Sequence, residues 1–127
     1  MELKHNVVGW FELPVSDMER AVKFYESVFG FKLRRQEMGE LYMAMFPNVE
    51  DSFGTSGSLV KNEEYIPSAD GILIYFTTPS GDLVKDLEVV KKSGGTILLE
   101  KTLISKEIGY MAMFLDTEGN RIALHSR

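Results

Sequence analysis

Cysteine is absent from this sequence of 127 residues, which excludes disulfide bonds, thiolate metal ligands and a cysteine nucleophile. The chain also lacks a long apolar run. No stretch approaches the roughly 18 consecutive apolar residues of a membrane-spanning helix, and the N-terminal segment has no signal-peptide pattern. Lysine and arginine form no basic stripe, and the net charge is −5, so we expect no nucleic-acid partner. Together these absences predict a complete, cytoplasmic protein with no membrane or nucleic-acid partner.

Apolar residues make up 44% of the chain and charged residues 26%, which is typical of a single soluble domain of this length. The pentapeptide YMAMF occurs twice, at residues 42–46 and 110–114. Around each copy the periodicity indicates the same order of elements: strand, helix, strand, a strand that carries the repeat, and a last strand. We therefore predict an α+β fold of two βαβββ units, residues 7–61 and 71–127, within one domain spanning residues 1–127.

The two helices carry clear local signals. Residues 17–29 place apolar side chains at helical spacing, Ser16 and Glu19 form a capping-box pattern, and Gly30 is a typical C-terminal cap. The second helix is expected to begin after Ser80 as N-cap and to end before Gly94 and Gly95. Strands are expected at residues 7–15, 71–78 and 96–99, whereas residues 100–107 carry no clear signal.

Two motifs flank this architecture: residues 11–21 (FELPVSDMERA), followed by Phe24-Tyr25 and Phe29-Gly30, and residues 116–122 (DTEGNRI). With the duplicated unit, they resemble the vicinal oxygen chelate superfamily, which includes glyoxalase I, extradiol dioxygenases, fosfomycin-resistance enzymes and bleomycin-resistance proteins. The resemblance implies curved mixed sheets around a cavity, helices outside, and a homodimer. It also implies a divalent metal in the cavity, bound by side chains near the first and last strands of each unit.

The resemblance places the four metal-ligand positions of the family at Trp10, at Gly57 or Ser58, at Ile72 and at Ala123. None of these side chains is a ligand for a hard or borderline divalent ion. We therefore expect no metal and no cofactor in this chain.

Glu12 and His125 are the candidate catalytic residues. Each lies two residues beyond a ligand position of the family, so both are predicted to face the cavity and could act as a general acid–base pair. The alternative is a structural role, with each side chain held by an ordinary hydrogen bond.

The cavity wall is predicted to be aromatic and aliphatic, which suits a small apolar or aromatic ligand. Its members are Trp10, Tyr42, Ala44, Phe46, Gly57, Ile72, Ile74, Phe76 and Ala123. Ordinary core packing is the alternative for each of them. The methionines of the two YMAMF copies are expected on the opposite strand faces, beneath the helices.

Three functions remain open on these residues. The first is a glyoxalase-like protein that binds a small molecule without a metal, in the manner of the bleomycin-resistance branch. The second is a metal-independent isomerase or lyase that uses Glu12 and His125, and the third is a divalent-metal lyase or dioxygenase of the same superfamily. The polar loops at residues 48–56 and 62–70 are candidate lids over the cavity. Arg34 and Arg35 either bind an anionic group of the ligand or are solvated.

Overall fold

The computed structural model describes residue 2 and residues 4–127. The elements follow the predicted order twice, so the α+β fold of two βαβββ units is confirmed. The first unit contains β1 (Phe11–Pro14), α1 (Met18–Phe29), β2 (Arg34–Met38), β3 (Leu41–Met45) and β4 (Gly57–Lys61). The second contains β5 (Ile74–Thr77), α2 (Leu83–Lys92), β6 (Thr96–Ser105), β7 (Gly109–Leu115) and β8 (Arg121–Ser126).

Each unit forms its own four-stranded sheet. The strand orders are β1-β4-β3-β2 and β5-β8-β7-β6, so the first strand of each unit lies at an edge. The first and last strands pair in parallel and the remaining pairs are antiparallel, which makes both sheets mixed. Neither helix in the described part of the chain is long and apolar enough to cross a membrane.

One hydrophobic core joins both helices to both sheets. It contains Ala21 of α1, Leu87 of α2, Leu59 of β4 and Ile122 of β8, each at most 4% exposed. The Phe24 ring of α1 lies 5.9 Å from the Phe114 ring of the second sheet. Helix α1 therefore packs against both units, and burial of this shared apolar surface holds the units together.

The two YMAMF strands face the opposite way from our prediction. Ala44 and Phe46 belong to the helix-side core, and the Phe46 ring lies 5.6 Å from the Tyr25 ring of α1. Because side chains alternate along a strand, Met43 and Met45 lie on the sheet face away from the helices, which we call the open face. The prediction that the methionines pack beneath the helices is wrong, because aromatic rings from α1 fill that space.

The helix caps and some strand limits also differ from prediction. Asp17, not Ser16, caps α1, and its Oδ1 accepts a hydrogen bond from the Arg20 backbone N–H at 3.1 Å. Asp82, rather than Ser80, caps α2, because its side chain accepts hydrogen bonds from backbone N–H groups in the first turn of the helix. Strand β6 continues to Ser105 through register shifts, because bulges keep an irregular segment in the sheet. Strands β1 and β5 begin later than predicted.

A polar bridge, formed by Asp116, Glu118 and Asn120 of the β7–β8 turn, links the second unit to the first. Glu118 accepts hydrogen bonds from the backbone N–H groups of Ser16 and Asp17, both at 2.8 Å. It also forms an ion pair with Arg20 at 2.7 Å, and its side chain is fully buried. A carboxylate is favourable at this place, since the first backbone N–H groups of a helix are unpaired and carry partial positive charge.

Stability is expected to depend on pH through Glu118. Burial alone raises the pKa of Glu118, but the bonds from Arg20, Asp17 and Ser16 outweigh it and hold that pKa below its usual value. Such a carboxylate stabilises the fold above its unfolded-state pKa, about 4.3, and loses this contribution as the pH falls through the folded-state pKa. We expect Glu118→Gln to lower the free energy of unfolding by about 2 kcal/mol at neutral pH. Urea denaturation should show that the difference in free energy of unfolding between wild type and Glu118→Gln becomes smaller below about pH 4.

Glu19→Gln is the matched control, because it removes an exposed Glu19–Arg35 ion pair at 2.9 Å with the Glu19 side chain 82% exposed. Its expected cost is below about 1 kcal/mol. Burial raises the pKa of Asp116, so its contribution to stability falls as the pH rises above its unfolded-state pKa, about 3.9, but Asp116 is present in both proteins. A Glu118→Gln deficit that stayed constant from neutral to acid pH would contradict the assignment.

Candidate ligand-binding cleft

A cleft of about 800 Å³ lies between the edge strands β1 and β5. Five of the predicted site residues line it: Trp10, Glu12, Ile72, Ile74 and Phe76. Trp10 and Ile72 precede the two strands and are 42% and 94% exposed. The topology therefore brings the starts of the two units, which are about sixty residues apart in the chain, to the same opening.

Aromatic rings close the cleft on the side of α1. The Phe11 and Phe76 rings, one from each edge strand, meet edge-to-face with centroids 5.4 Å apart. Phe76 also lies 5.1 Å from the Phe29 ring of α1. This contact gives the cleft an apolar floor and crosses the gap between two strands that belong to different sheets.

Both predicted lid loops reach the cleft. Phe53, Gly54 and Thr55 line it from the first loop, and Ile66, Ser68 and Asp70 from the second. The first loop is tied down by the Thr55 hydroxyl, which donates to the Gly9 carbonyl at 2.7 Å. The second is held where the Ser68 N–H donates to the Asn120 side-chain oxygen at 3.1 Å.

Glu12 presents a carboxylate to the cleft, and Tyr65 is its partner. The Tyr65 hydroxyl donates a hydrogen bond of 2.9 Å to Glu12 Oε1, and this bond raises the pKa of Tyr65. Tyr65 was not among the site residues predicted from the sequence. The available signal was a lone aromatic residue in a polar segment between the two units.

His125 is placed elsewhere. Its Nε2 donates to the Ile108 carbonyl oxygen at 2.7 Å, and in the sheet it pairs with Thr77 and Met111. It is not among the residues that line the cleft. Glu12 and His125 thus have separate partners, and the structure does not bring them together as a pair.

The remaining predicted wall residues do not line the main cleft. Tyr42 and Phe46 lie on the helix side, where Tyr42 accepts a hydrogen bond from Arg35 at 2.9 Å. Gly57 also faces the helix side, because a Cβ there would lie 2.5 Å from the Phe11 ring. Ala123 is fully buried in the second sheet.

The register of β1 and β4 decides between Gly57 and Ser58 as the residue at the family's ligand position. Glu12 pairs with Ser58, so Ser58 lies on the open face beside it. Ser58 is fully buried, and its Oγ has no hydrogen-bond partner among the described residues. The open face at this position therefore carries a hydroxyl where the family implies a metal ligand.

These residues do not fit a divalent ion. The side chains of Trp10, Ile72 and Ala123 have no atom that binds a divalent metal, and the Ser58 hydroxyl alone is a poor metal ligand. Within residue 2 and residues 4–127, no group of three or more His, Asp or Glu side chains is placed to hold a metal. A catalytic site needs about three protein ligands and one open position, so no reaction step through a metal follows from this site.

Known proteins with similar sequences identify the family of this chain. A sequence model described as "Glyoxalase/Bleomycin resistance protein/Dioxygenase superfamily" matches residues 7–124. A glyoxylase-like domain-containing protein from Didymella fabae is 33% identical over 126 residues, which cover 97% of this chain and 95% of that protein. The chain belongs to this superfamily. The resemblance found in residues 11–21 and 116–122 is thereby confirmed.

Solved structures of the superfamily share the fold. A glyoxalase/bleomycin resistance protein from a Streptomyces species is 26% identical with a TM-score of 0.67, over 93% of this chain and 98% of that chain. Another, from Albidiferax ferrireducens, has a TM-score of 0.70 at 18% identity, over 96% of this chain and all of that one. A variant of glyoxalase I from Zea mays is 25% identical with a TM-score of 0.66, over 93% of this chain. The chain spans only 45% of that maize superfamily member.

Proposed function

We propose that this superfamily member binds a small apolar or aromatic molecule in the cleft between β1 and β5, without a catalytic metal. The observation that carries the proposal is the cleft of about 800 Å³ with an aromatic floor. Its volume lies within the range of roughly 300–1,000 Å³ that small-molecule sites occupy. The non-chelating residues at the four ligand positions support a binding role over the metal chemistry of the family.

The cleft also presents polar side chains, and such groups orient the ligand in small-molecule sites. Glu12 and Tyr65 form one hydrogen-bonded pair at its edge. Arg121 also lines the cleft, and its Nε is buried without a hydrogen-bond partner among the described residues. Buried polar atoms are normally paired, so a ligand acceptor beside Arg121 would complete the site.

A homodimer is part of the proposal. Phe53 is fully exposed, and Ile72 and Ile66 are 94% and 70% exposed, although all three line the cleft. Apolar side chains that are exposed together mark contact surfaces, and a second copy that covers them would also shield the ligand from water. We place this dimer in the cytoplasm.

Neutral aromatic ligands are expected to raise the melting temperature. With naphthalene-2-carboxamide as reference compound in a panel of aromatic amides and aldehydes, a bound compound at ten times its Kd should raise Tm by about 5 °C. Thr77→Phe, which fills the cleft from an exposed strand position, should abolish most of this shift. Differential scanning fluorimetry measures it, and sedimentation equilibrium of the same samples measures the dimer.

Thr96→Phe is the matched control, because Thr96 is also an exposed strand threonine but does not line the cleft. It should keep the full shift in Tm. Equal loss of the shift in both variants, or a flat response to every compound, would count against a ligand site between β1 and β5.

An enzyme is the second candidate, and the Glu12–Tyr65 pair at the cleft favours it. A carboxylate in a partly dry site is a suitable general base for an isomerase or lyase. The acid–base pair predicted from the sequence keeps only Glu12 in the cleft, since His125 lies outside its lining. Unchanged ligand affinity with lost turnover in Glu12→Gln would favour the enzyme, whereas lost affinity without any turnover would favour binding.

A further inference from the structure

A second, smaller pocket of about 510 Å³ adjoins the cleft and shares Trp10 and Thr55 with it. We call it the cationic pocket. Besides these two residues, its lining includes Lys32, Arg34, Met45 and Asn48. The Trp10 side chain thus lies between two openings. The cleft has an aromatic floor, and the cationic pocket has two cationic side chains.

The charge of the cationic pocket contrasts with that of the whole chain. The chain carries a net charge of −5, yet no carboxylate is among the pocket's lining residues in the part of the chain that the structure describes. The Lys32 ammonium has a distant partner, Glu26 at 3.7 Å, and its side chain is 91% exposed. Two cations without a lining acid produce a local positive potential.

Arg34 keeps donors free for a ligand, and its neighbour Arg35 does not. Within the described residues, the Arg34 guanidinium donates to one side chain, Gln36 Oε1, at 3.2 Å. Arg35 lies on the other face of β2, where it donates to Glu19 and to the Tyr42 hydroxyl, both at 2.9 Å. An arginine has five N–H donors in a planar fork that matches a carboxylate.

The register places Arg34 on the same face as the cleft carboxylate. Arg34 pairs with Met45, Met45 with Ser58, and Ser58 with Glu12, so the four side chains form one row across the open face. A row of four strands is about 14 Å wide. A ligand that extends from the cleft past Trp10 would therefore meet Arg34 at the far end of this row.

We propose that the ligand is an aromatic or apolar acid, whose ring lies against Trp10 and whose carboxylate or similar anionic group is bound by Arg34 and Lys32. This inference rests on the proposed function, because it names the class of molecule that the cleft takes. It also answers the question left open by the sequence: Arg34 is the anion ligand of the Arg34–Arg35 pair, and Arg35 stabilises the sheet and α1.

Two matched probes test the inference, naphthalene-2-carboxylate and its neutral analogue naphthalene-2-carboxamide. Trp10 is the single tryptophan of the chain, so its fluorescence reports binding at this place. The carboxylate should bind wild type about tenfold more tightly than the amide, the size expected for a charge-assisted hydrogen bond. Arg34→Gln should remove this preference and leave amide affinity unchanged, and Lys32→Gln should reduce it.

Arg35→Gln is the control, and it should keep the full preference for the carboxylate. Retained amide binding in Arg34→Gln shows that the variant is folded and that the cleft is intact. Equal affinities of the two probes for wild type would overturn the anionic class, and a full preference in Arg34→Gln would overturn the binding of the anionic group by Arg34; either result leaves the proposed function standing. Binding of neither probe would overturn both.

Discussion

Asp116→Ala is expected to lower the free energy of unfolding by about 4 kcal/mol. Asp116 accepts hydrogen bonds from the Tyr25 hydroxyl at 2.6 Å, from the Asn120 side chain at 3.1 Å, and from the Glu118 and Asn120 backbone N–H groups at 2.9 Å. Asp116 is 4% exposed and Tyr25 is fully buried, so water cannot replace the lost acceptor. Urea denaturation at neutral pH measures the effect.

Tyr25→Phe provides the control for this network, because it removes one donor and keeps the ring in the core. Its expected cost is about 1.5 kcal/mol. In the double variant the cost of Asp116→Ala should be smaller than in wild type, since one orphaned donor is already absent. An Asp116→Ala protein within about 1 kcal/mol of wild type would show that the buried donors find other partners.

Gly57→Ala is the second variant with a large expected effect, a loss of about 3 kcal/mol in the free energy of unfolding. The added methyl group would clash with the carbonyl oxygen of Phe11 and lie 2.5 Å from Cδ2 of its ring. The Phe11 carbonyl is part of the β1 backbone, so relief requires the paired strands to separate. Because the Phe11 ring also lines the cleft, ligand affinity should fall together with stability.

Gly9→Ala is the matched control, because a Cβ at Gly9 meets nothing within 4 Å. It should change stability by no more than about 0.5 kcal/mol. Urea midpoints that coincide for Gly57→Ala and Gly9→Ala would refute the close packing of Phe11 on β4. The result also bears on the choice between Gly57 and Ser58 as the family's ligand position, since residue 57 faces Phe11 and has no room for a side chain.

The fold could be predicted because its evidence is repeated along the chain. Two YMAMF copies, two helices and two motifs agree on the same unit, and such agreement between levels is typical of a sequence that specifies one structure. The sequence also predicts that Trp10, Ile72 and Ala123 do not bind a metal. This prediction was possible only because the resemblance identified them as the family's ligand positions.

The faces of the strands could not be predicted in the same way. Alternation establishes that Ala44 and Phe46 share one face and Met43 and Met45 the other, but it does not say which face meets a helix. That choice depends on the aromatic rings of α1, which come from a different part of the chain. For the same reason the sequence did not reveal that β4 pairs Ser58, not Gly57, with Glu12.

The candidate site was predicted in part. Five predicted residues line the cleft, since all of them lie on or near the edge strands that define it: Trp10, Glu12, Ile72, Ile74 and Phe76. His125 does not, because the direction of a side chain at the end of the last strand depends on a partner in the β6–β7 turn, the Ile108 carbonyl. The partner of Glu12 was equally hidden, since Tyr65 is 53 residues away.

The contact between Glu118 and the start of α1 also bears on the order in which the chain can become structured. The acceptor lies 102 residues beyond Ser16 and 101 beyond Asp17. During synthesis, therefore, the N-terminus of α1 emerges long before the carboxylate that satisfies it. A short helix is marginal by itself in water, and closing so long a loop is a slow, entropically costly event. Asp17 can cap α1 from within the first unit, but the bonds from Ser16 and Asp17 to Glu118 form only after the last turn of the second unit has been made.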